Sequence, residues 1–108
     1  MCALVIATNG EERIVDSDEA NEILERLTGK STCEYLGGTD YLMIYNRDKV
    51  ITAEDGRYFL GSAIVFKGTI RGIEMISGDD YSVASLEFNS RLITLKAGDE
   101  YFRAFPIP

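Results

Sequence analysis

Short apolar runs separated by turn residues make up most of the chain. Residues 41–45 and 58–66 are rich in β-branched and aromatic side chains, with a shorter run at 50–52 and the pair Asp55-Gly56 between them. This pattern is typical of paired strands joined by short turns. Further β-like runs lie at residues 4–6, 14–15, 32–36, 70–76, 83–88, 91–95 and 101–105. We predict a hairpin turn at Asn9-Gly10 between the first two of these runs and a two-residue turn at residues 89–90. We therefore predict about six to eight short strands in a mostly antiparallel sheet, with strand pairing ended by Pro106 and Pro108.

One segment has helical periodicity instead. Its apolar residues recur at helical spacing, at Ala20, Ile23, Leu24 and Leu27. Residues 16–18 can cap its first turn, and Gly29 can end it. We predict one amphipathic helix over about residues 18–28, with Leu24 and Leu27 buried against the sheet. The predicted fold class is therefore α+β, a small single domain over residues 1–108, because halves of so short a chain could not each bury a core.

Length and composition indicate the compartment in which we expect the protein to function. No apolar run approaches the ~18 residues of a membrane span. Residues 1–7 are apolar but have no basic flank, so they are interpreted as a first strand and not as a signal peptide. Two cysteines make no disulfide framework. We expect a cytoplasmic protein with reduced thiols.

Acidic residues are concentrated in the first part of the chain. The net charge is −7, and residues 1–40 carry nine acidic and three basic side chains against nine and eight in residues 41–108. Nucleic acids and anionic membranes need cations to displace their counterions. We therefore expect neither direct nucleic-acid binding nor membrane binding, and a protein partner with a basic surface instead.

Catalytic signatures are missing from the sequence. Histidine is absent, which removes the commonest general base and metal ligand. Cys2 and Cys33 have no nearby cation to activate a thiolate, so they are interpreted as small buried hydrophobic residues. The acidic pairs at 79–80 and 99–100 are interpreted as turn residues, with a magnesium or calcium site as the alternative. We predict a protein that is not an enzyme and has no cofactor and no metal.

Two surfaces are candidates for partner binding. The first is acidic and comprises Glu11, Glu12, Asp18, Glu19, Glu22 and Glu25. The second is an aromatic face of the predicted sheet, comprising Tyr41, Tyr45 and Tyr58. An aromatic face beside carboxylates suits a partner that presents arginine or lysine.

The order of elements over residues 3–68 also carries a resemblance. An apolar run at 4–6, an acidic segment, a helix ending in Leu27-Thr28-Gly29, a strand at 32–36, a strand ending in Tyr45-Asn46 and an apolar run opened by Gly61 follow one another. This order resembles a small family of unknown function found in phages and mobile elements of gut bacteria. The chain lacks that family's Gly-Gly-Tyr segment after the helix and its Pro-Asn-Arg turn. The resemblance implies a small accessory protein and assigns no functional residues.

Three hypotheses for function follow. The first is an accessory protein that acts by protein–protein binding, as an inhibitor or modulator of a basic partner from the host of a phage or mobile element. The second is a nucleic-acid mimic that uses its carboxylates to occupy the basic groove of an enzyme. The third is a small ligand- or metal-binding domain or enzyme that uses the loop carboxylates. A homodimer paired through an exposed sheet edge is a further alternative.

Overall fold

The computed structural model describes residues 2–108 and contains two antiparallel sheets and two α-helices. The strands are β1 (Ala3–Ala7), β2 (Glu12–Val15), β3 (Ser31–Tyr35), β4 (Tyr41–Asn46), β5 (Val50–Ala53), β6 (Gly56–Phe59), β7 (Ser62–Thr69), β8 (Gly72–Glu74), β9 (Ile93–Ala97) and β10 (Glu100–Ile107). The helices are α1 (Ser17–Arg26) and α2 (Asp80–Arg91). The predicted class, α+β with mostly antiparallel sheet, is confirmed.

The larger, central sheet has the strand order β2-β1-β7-β4-β3, with β8 paired to the last residues of β7. Its first hairpin turns at Asn9-Gly10, where Gly10 adopts a positive φ of 97° and its N–H donates to the Ala7 carbonyl. An asparagine–glycine pair is well suited to such a turn because glycine reaches positive φ without steric cost. The hairpin predicted around this pair is therefore present.

The smaller sheet has the order β5-β6-β10-β9 and packs beside the central one. Residues 58–66, which look like one run in the sequence, divide between the two sheets: β6 ends at Phe59 and β7 begins at Ser62. The rings of Tyr45 on β4 and Phe59 on β6 contact each other at a centroid distance of 4.5 Å. This contact joins the two sheets.

Side-chain alternation gives the central sheet two different apolar faces. One face packs against α2 and the smaller sheet, and its buried residues include Leu4, Ile6, Met43, Tyr45 and Val65. The other face packs against α1, and its buried residues include Ala3, Leu42, Ile44, Ile64 and Phe66. The domain is therefore layered, with the central sheet in the middle.

The prediction of a single helix is wrong, because residues 83–88 belong to α2 and not to a strand. The predicted turn at residues 89–90 also lies inside this helix. Ala84 and Phe88 are fully buried, whereas Leu86 between them is 71% exposed. A four-residue spacing places two side chains on the same side of a helix. The alternation of apolar and polar residues at 83–88 therefore does not indicate a strand here, because Ala84 and Phe88 also fit the spacing of a helix.

The prediction that Pro106 stops strand pairing is also wrong. β10 continues to Ile107, and Pro106 lies opposite Tyr58 of β6. The pairing of β10 with β9 covers only residues 100–104 of β10, so Pro106 has a neighbouring strand on one side only. A residue without an N–H is tolerated where one side of the strand is open.

α1 begins close to the predicted position and ends two residues earlier. The Asp16 carboxylate accepts a hydrogen bond of 2.9 Å from the Glu19 backbone N–H, so Asp16 is the N-cap. Ala20 is buried, but Leu24 and Leu27 are only partly buried. The prediction that both leucines pack against the sheet is confirmed, but neither is fully buried, because a helix of 10 residues leaves part of the sheet face beside it open.

We expect Asp16→Ala to lower the free energy of unfolding by about 1 kcal/mol, since it removes the acceptor for a helix N–H that has no other partner. Urea unfolding of the variant and of Asp18→Ala would measure this. Asp18 is exposed in the first turn but does not cap the helix, so it is the matched control. Equal losses in the two variants would show that charge near the helix dipole, and not the cap, is responsible.

Candidate functional site

An open apolar groove lies between α1 and the central sheet. Its volume is about 610 Å³. Its floor is formed by the strand residues Val5, Ala7, Ile44 and Ile64. Its wall is formed by Ile23 of α1 and by Leu27, which directly follows α1. Charged side chains border it at Glu11, Glu12, Arg13 and Arg26. The groove exists because α1 is too short to cover its face of the sheet.

The six carboxylates predicted to bind a partner lie on α1 and on the β1–β2 hairpin, with Glu12 on β2 and Glu11 directly before it. Five of them are exposed and Glu19 is half-buried. Glu19 pairs with Arg13, and Glu22 pairs with Arg26 at 3.6 Å. Glu12 accepts a hydrogen bond of 2.7 Å from the Ser85 hydroxyl on α2. Within residues 2–108, the remaining three make no ion pair: Glu11, Asp18 and Glu25.

These contacts determine the charge around the groove. Each of the two bordering arginines is paired to a glutamate on α1, which neutralises it locally. Such exposed pairs contribute only about 0.2–1 kcal/mol each to stability. The charge that remains without an internal partner is negative, so the surroundings of the groove favour a cationic ligand.

The same contacts weaken the hypothesis of a nucleic-acid mimic. That hypothesis requires a continuous face of carboxylates at phosphate-like spacing. Of the seven carboxylates between residues 11 and 25, four have internal partners: Glu12 with Ser85, Asp16 at the helix cap, and the two glutamates paired with arginine. The acidic end is therefore partly occupied by its own contacts.

The three tyrosines predicted to form an exposed aromatic face are buried. Their exposed fractions are 8% for Tyr41, 1% for Tyr45 and 6% for Tyr58. Tyr41 and Tyr45 project from β4 toward the face that α2 and the smaller sheet cover. The prediction of an exposed binding face is wrong for these residues, because strand composition does not tell which face a second layer covers.

Tyr41 instead anchors α2 to the central sheet. Its hydroxyl donates a hydrogen bond of 2.6 Å to Oδ1 of Asp80, the first residue of α2. The Lys67 ammonium lies 3.8 Å from the same oxygen, and the Ser77 N–H donates to Oδ2 at 3.4 Å. Burial, followed by the hydrogen bond to Asp80, raises the pKa of Tyr41 to about 12. The bond from Tyr41 is the main cause that lowers the pKa of Asp80 below its ordinary value.

The raised pKa of Tyr41 predicts a loss of stability in alkali. A pKa raised on folding stabilises the protein fully below the ordinary value of 10.0 and stops doing so as pH rises through about 12. In an absorbance titration of tyrosinate, we expect Tyr41→Phe to lower the amplitude of the step near pH 12 by one tyrosine and Asp80→Asn to move that part of the step to lower pH. Tyr101→Phe, at an exposed position, is the control and should leave that step in place. Burial raises the pKa of Tyr45 as well, so the result that would contradict the assignment is a step near pH 12 whose amplitude is unchanged in Tyr41→Phe.

The loop carboxylates do not gather into a metal site in the part of the chain that the structure describes. No three Asp, Glu or Cys side chains among residues 2–108 come close enough to hold a metal ion. Asp80 is engaged by Tyr41, and Asp99 and Glu100 are exposed at the β9–β10 turn. Among residues 2–108, these carboxylates therefore do not form an assembled metal site.

The two cysteines differ in their surroundings. Cys2 is half-buried beside the central sheet. Cys33 is exposed on the edge strand β3, so its predicted burial is wrong. Alternation across β3 and β4 places Cys33 opposite Ile44, on the α1 face, which the short helix covers only in part.

The apolar residues of the groove could not be recognised as a site from the sequence. Val5, Ile44 and Ile64 lie in runs that are apolar on both faces, as expected for a buried strand. The only signal was the length of the helical segment, since a short helix cannot cover a sheet of five adjacent strands.

No protein-family model, curated protein or solved structure matches this chain. Within residues 2–108, neither helix has the length and apolar character needed to cross a membrane.

Proposed function

We propose that this protein is a small acidic binding module, an accessory inhibitor or modulator that docks a basic protein at the end formed by α1 and the β1–β2 hairpin. The observation that carries the proposal is the apolar groove bordered by carboxylates. Apolar anchors in a pocket supply most of the affinity in a protein interface, and complementary charge supplies orientation and association rate. The groove and the carboxylates around it combine both features at one end of the domain.

The basic partner is favoured by the distribution of charge. Glu11, Asp18 and Glu25 have no ion pair within residues 2–108; Glu11 lines the groove, and Asp18 and Glu25 are exposed on α1. Like charges held close together repel one another and oppose folding. A ligand that carries lysine or arginine would relieve this repulsion, whereas an acidic ligand would increase it.

A selection from a random-peptide display library on the folded protein tests the proposal. We expect the enriched peptides to carry lysine or arginine together with an apolar anchor. Their affinity should fall about tenfold or more, which is about 1.4 kcal/mol, in the triple variant Glu11→Lys/Asp18→Lys/Glu25→Lys. This variant breaks no internal ion pair, so the fold should be retained, with a modest loss of stability from a lysine at position 18 in the first turn of α1.

The matched control is Glu54→Lys/Asp99→Lys/Glu100→Lys, which changes the net charge equally at exposed positions elsewhere. We expect this control to retain most of the affinity. Enrichment of acidic or uncharged peptides would contradict the proposal. Equal losses in the two variants would show that only the overall charge matters and would also contradict it.

The role of the groove can be tested separately from the charge. Ser62 is exposed and lines the groove, so Ser62→Trp should fill it without disturbing the core. We expect this variant to reduce peptide affinity about tenfold or more, because the apolar anchor loses its place. Ser31→Trp, exposed on the edge strand β3 and outside the groove, is the control. Unchanged affinity in Ser62→Trp would place the site elsewhere.

A further inference from the structure

β2 lies at one edge of the central sheet, and no strand pairs with its outer side within residues 2–108. The Ala7 N–H donates to the Glu11 carbonyl at 2.8 Å, which sets the alternation of backbone groups along β2. The backbone N–H and C=O groups of Arg13 and Val15 therefore point toward β1. The backbone N–H and C=O groups of Glu12 and Ile14 point outward, where another strand could pair with them.

A depression lies on each side of β2. On the α1 side is the groove described above, which Glu12 and Arg13 help to line. On the α2 side is a second depression of about 620 Å³, lined by Leu4, Ile14, Tyr81 and Leu86 among others. Ile14 is 56% exposed and Leu86 71% exposed, so apolar side chains face the solvent beside this edge.

We propose that an extended basic segment of a partner protein pairs with the outer side of β2 and adds a strand to the central sheet. The inference rests on the proposed function and specifies how the partner binds. Successive side chains of a strand point to opposite faces of a sheet. A strand added here would therefore direct one set of side chains toward the α1 groove and the other toward Ile14 and Leu86. Strand addition of this kind takes affinity from backbone hydrogen bonds and specificity from such side-chain sites.

The occupant is basic because the edge is acidic. Glu11, Glu12 and Asp16 lie in or directly beside β2 and are all exposed. A second copy of this chain is a poor occupant, because antiparallel pairing of two β2 strands would bring the same carboxylates of two chains, each with a net charge of −7, together. A segment that alternates lysine or arginine with apolar residues meets both the charge and the exposed isoleucine and leucine.

The probe is a synthetic peptide of about eight residues that alternates lysine and valine, a length within the range of natural strands. Its control is a peptide of the same composition with the lysines and valines in separate blocks. We expect the alternating peptide to bind at least about tenfold more tightly, since only alternation presents one residue type to each face. Hydrogen exchange of the wild-type complex should show new protection of the Glu12 and Ile14 amides. Absence of that protection would overturn the inference.

Backbone pairing also predicts a periodic response to N-methylation. Methylating every second amide of the peptide should abolish binding in one register and leave it largely intact in the other, because only alternate amides face β2. On the protein, Ile14→Pro removes an outward N–H and should weaken binding more than Ile14→Ala, which removes only the side chain. Loss of binding that does not depend on the methylated register would overturn strand addition.

The outcomes separate this inference from the proposed function. If basic peptides bind and respond to the triple carboxylate variant but leave Glu12 and Ile14 unprotected, strand addition is wrong and the basic docking site stands. If the alternating peptide binds no better than a glutamate–valine peptide, both fail. If sedimentation shows a dimer of the protein alone with these two amides protected, the occupant is a second copy and the inference is overturned.

Discussion

Phe59→Ala is expected to lower the free energy of unfolding by about 3–5 kcal/mol, the usual cost of removing a fully buried aromatic ring. Phe59 is completely buried and its ring contacts Tyr45 across the junction between the two sheets. The loss combines the transfer free energy of the removed ring with the cost of the cavity that it leaves between the two sheets. Guanidinium unfolding followed by circular dichroism would measure it.

The size of this effect matters because small domains have only about 5–15 kcal/mol of stability in total. Tyr101→Ala is the control, since Tyr101 belongs to the same smaller sheet but is exposed. We expect that variant to change stability by no more than about 0.5 kcal/mol, as is usual for surface positions. Similar losses in the two variants would mean that the sheets do not depend on the Tyr45–Phe59 contact.

Phe88→Ala is the second large effect, with an expected loss of about 3–5 kcal/mol. Phe88 lies on the buried side of α2, and its ring stacks on Phe105 of β10 at a centroid distance of 4.9 Å. Because this contact joins α2 to the smaller sheet, its removal weakens the packing of two layers at once. Thermal and urea unfolding would both report the loss.

Leu86→Ala is the companion variant, because it distinguishes the helix from the strand that the sequence predicts. In a strand, Leu86 and Phe88 would share the buried face, and both substitutions would be costly. In α2, Leu86 is exposed, so Leu86→Ala should cost no more than about 0.5 kcal/mol. A loss of several kilocalories in Leu86→Ala would therefore contradict the helical structure of this segment.

The elements that sequence analysis predicted correctly are those with strong local chemistry. The Asn9-Gly10 turn forms because glycine adopts positive φ there. α1 forms near its predicted position because Asp16 satisfies a free N–H at its start and because apolar residues recur on one side. In both places the residues that determine the structure are neighbours in the chain, so their effect can be predicted without knowing the fold.

The candidate site was predictable only in its charged part. Glu11, Asp18, Glu22 and Glu25 are exposed as expected, since carboxylates at the start of a helix and in a polar hairpin seldom become buried. The prediction that the tyrosines are exposed was wrong because tyrosine is common both at sheet margins and inside cores. Only the packing of α2 and the smaller sheet on β4 decides which of these applies.

The sequence by itself determined the fold class, the position of α1, the turns that contain glycine and the acidic character of the first part of the chain. Each of these depends on interactions within a few residues. Only the tertiary structure decided that residues 80–91 form a helix, that residues 58–66 divide between two sheets, and that α1 leaves a groove open. These features depend on how much surface one layer covers on another, which is a relation between segments far apart in the chain.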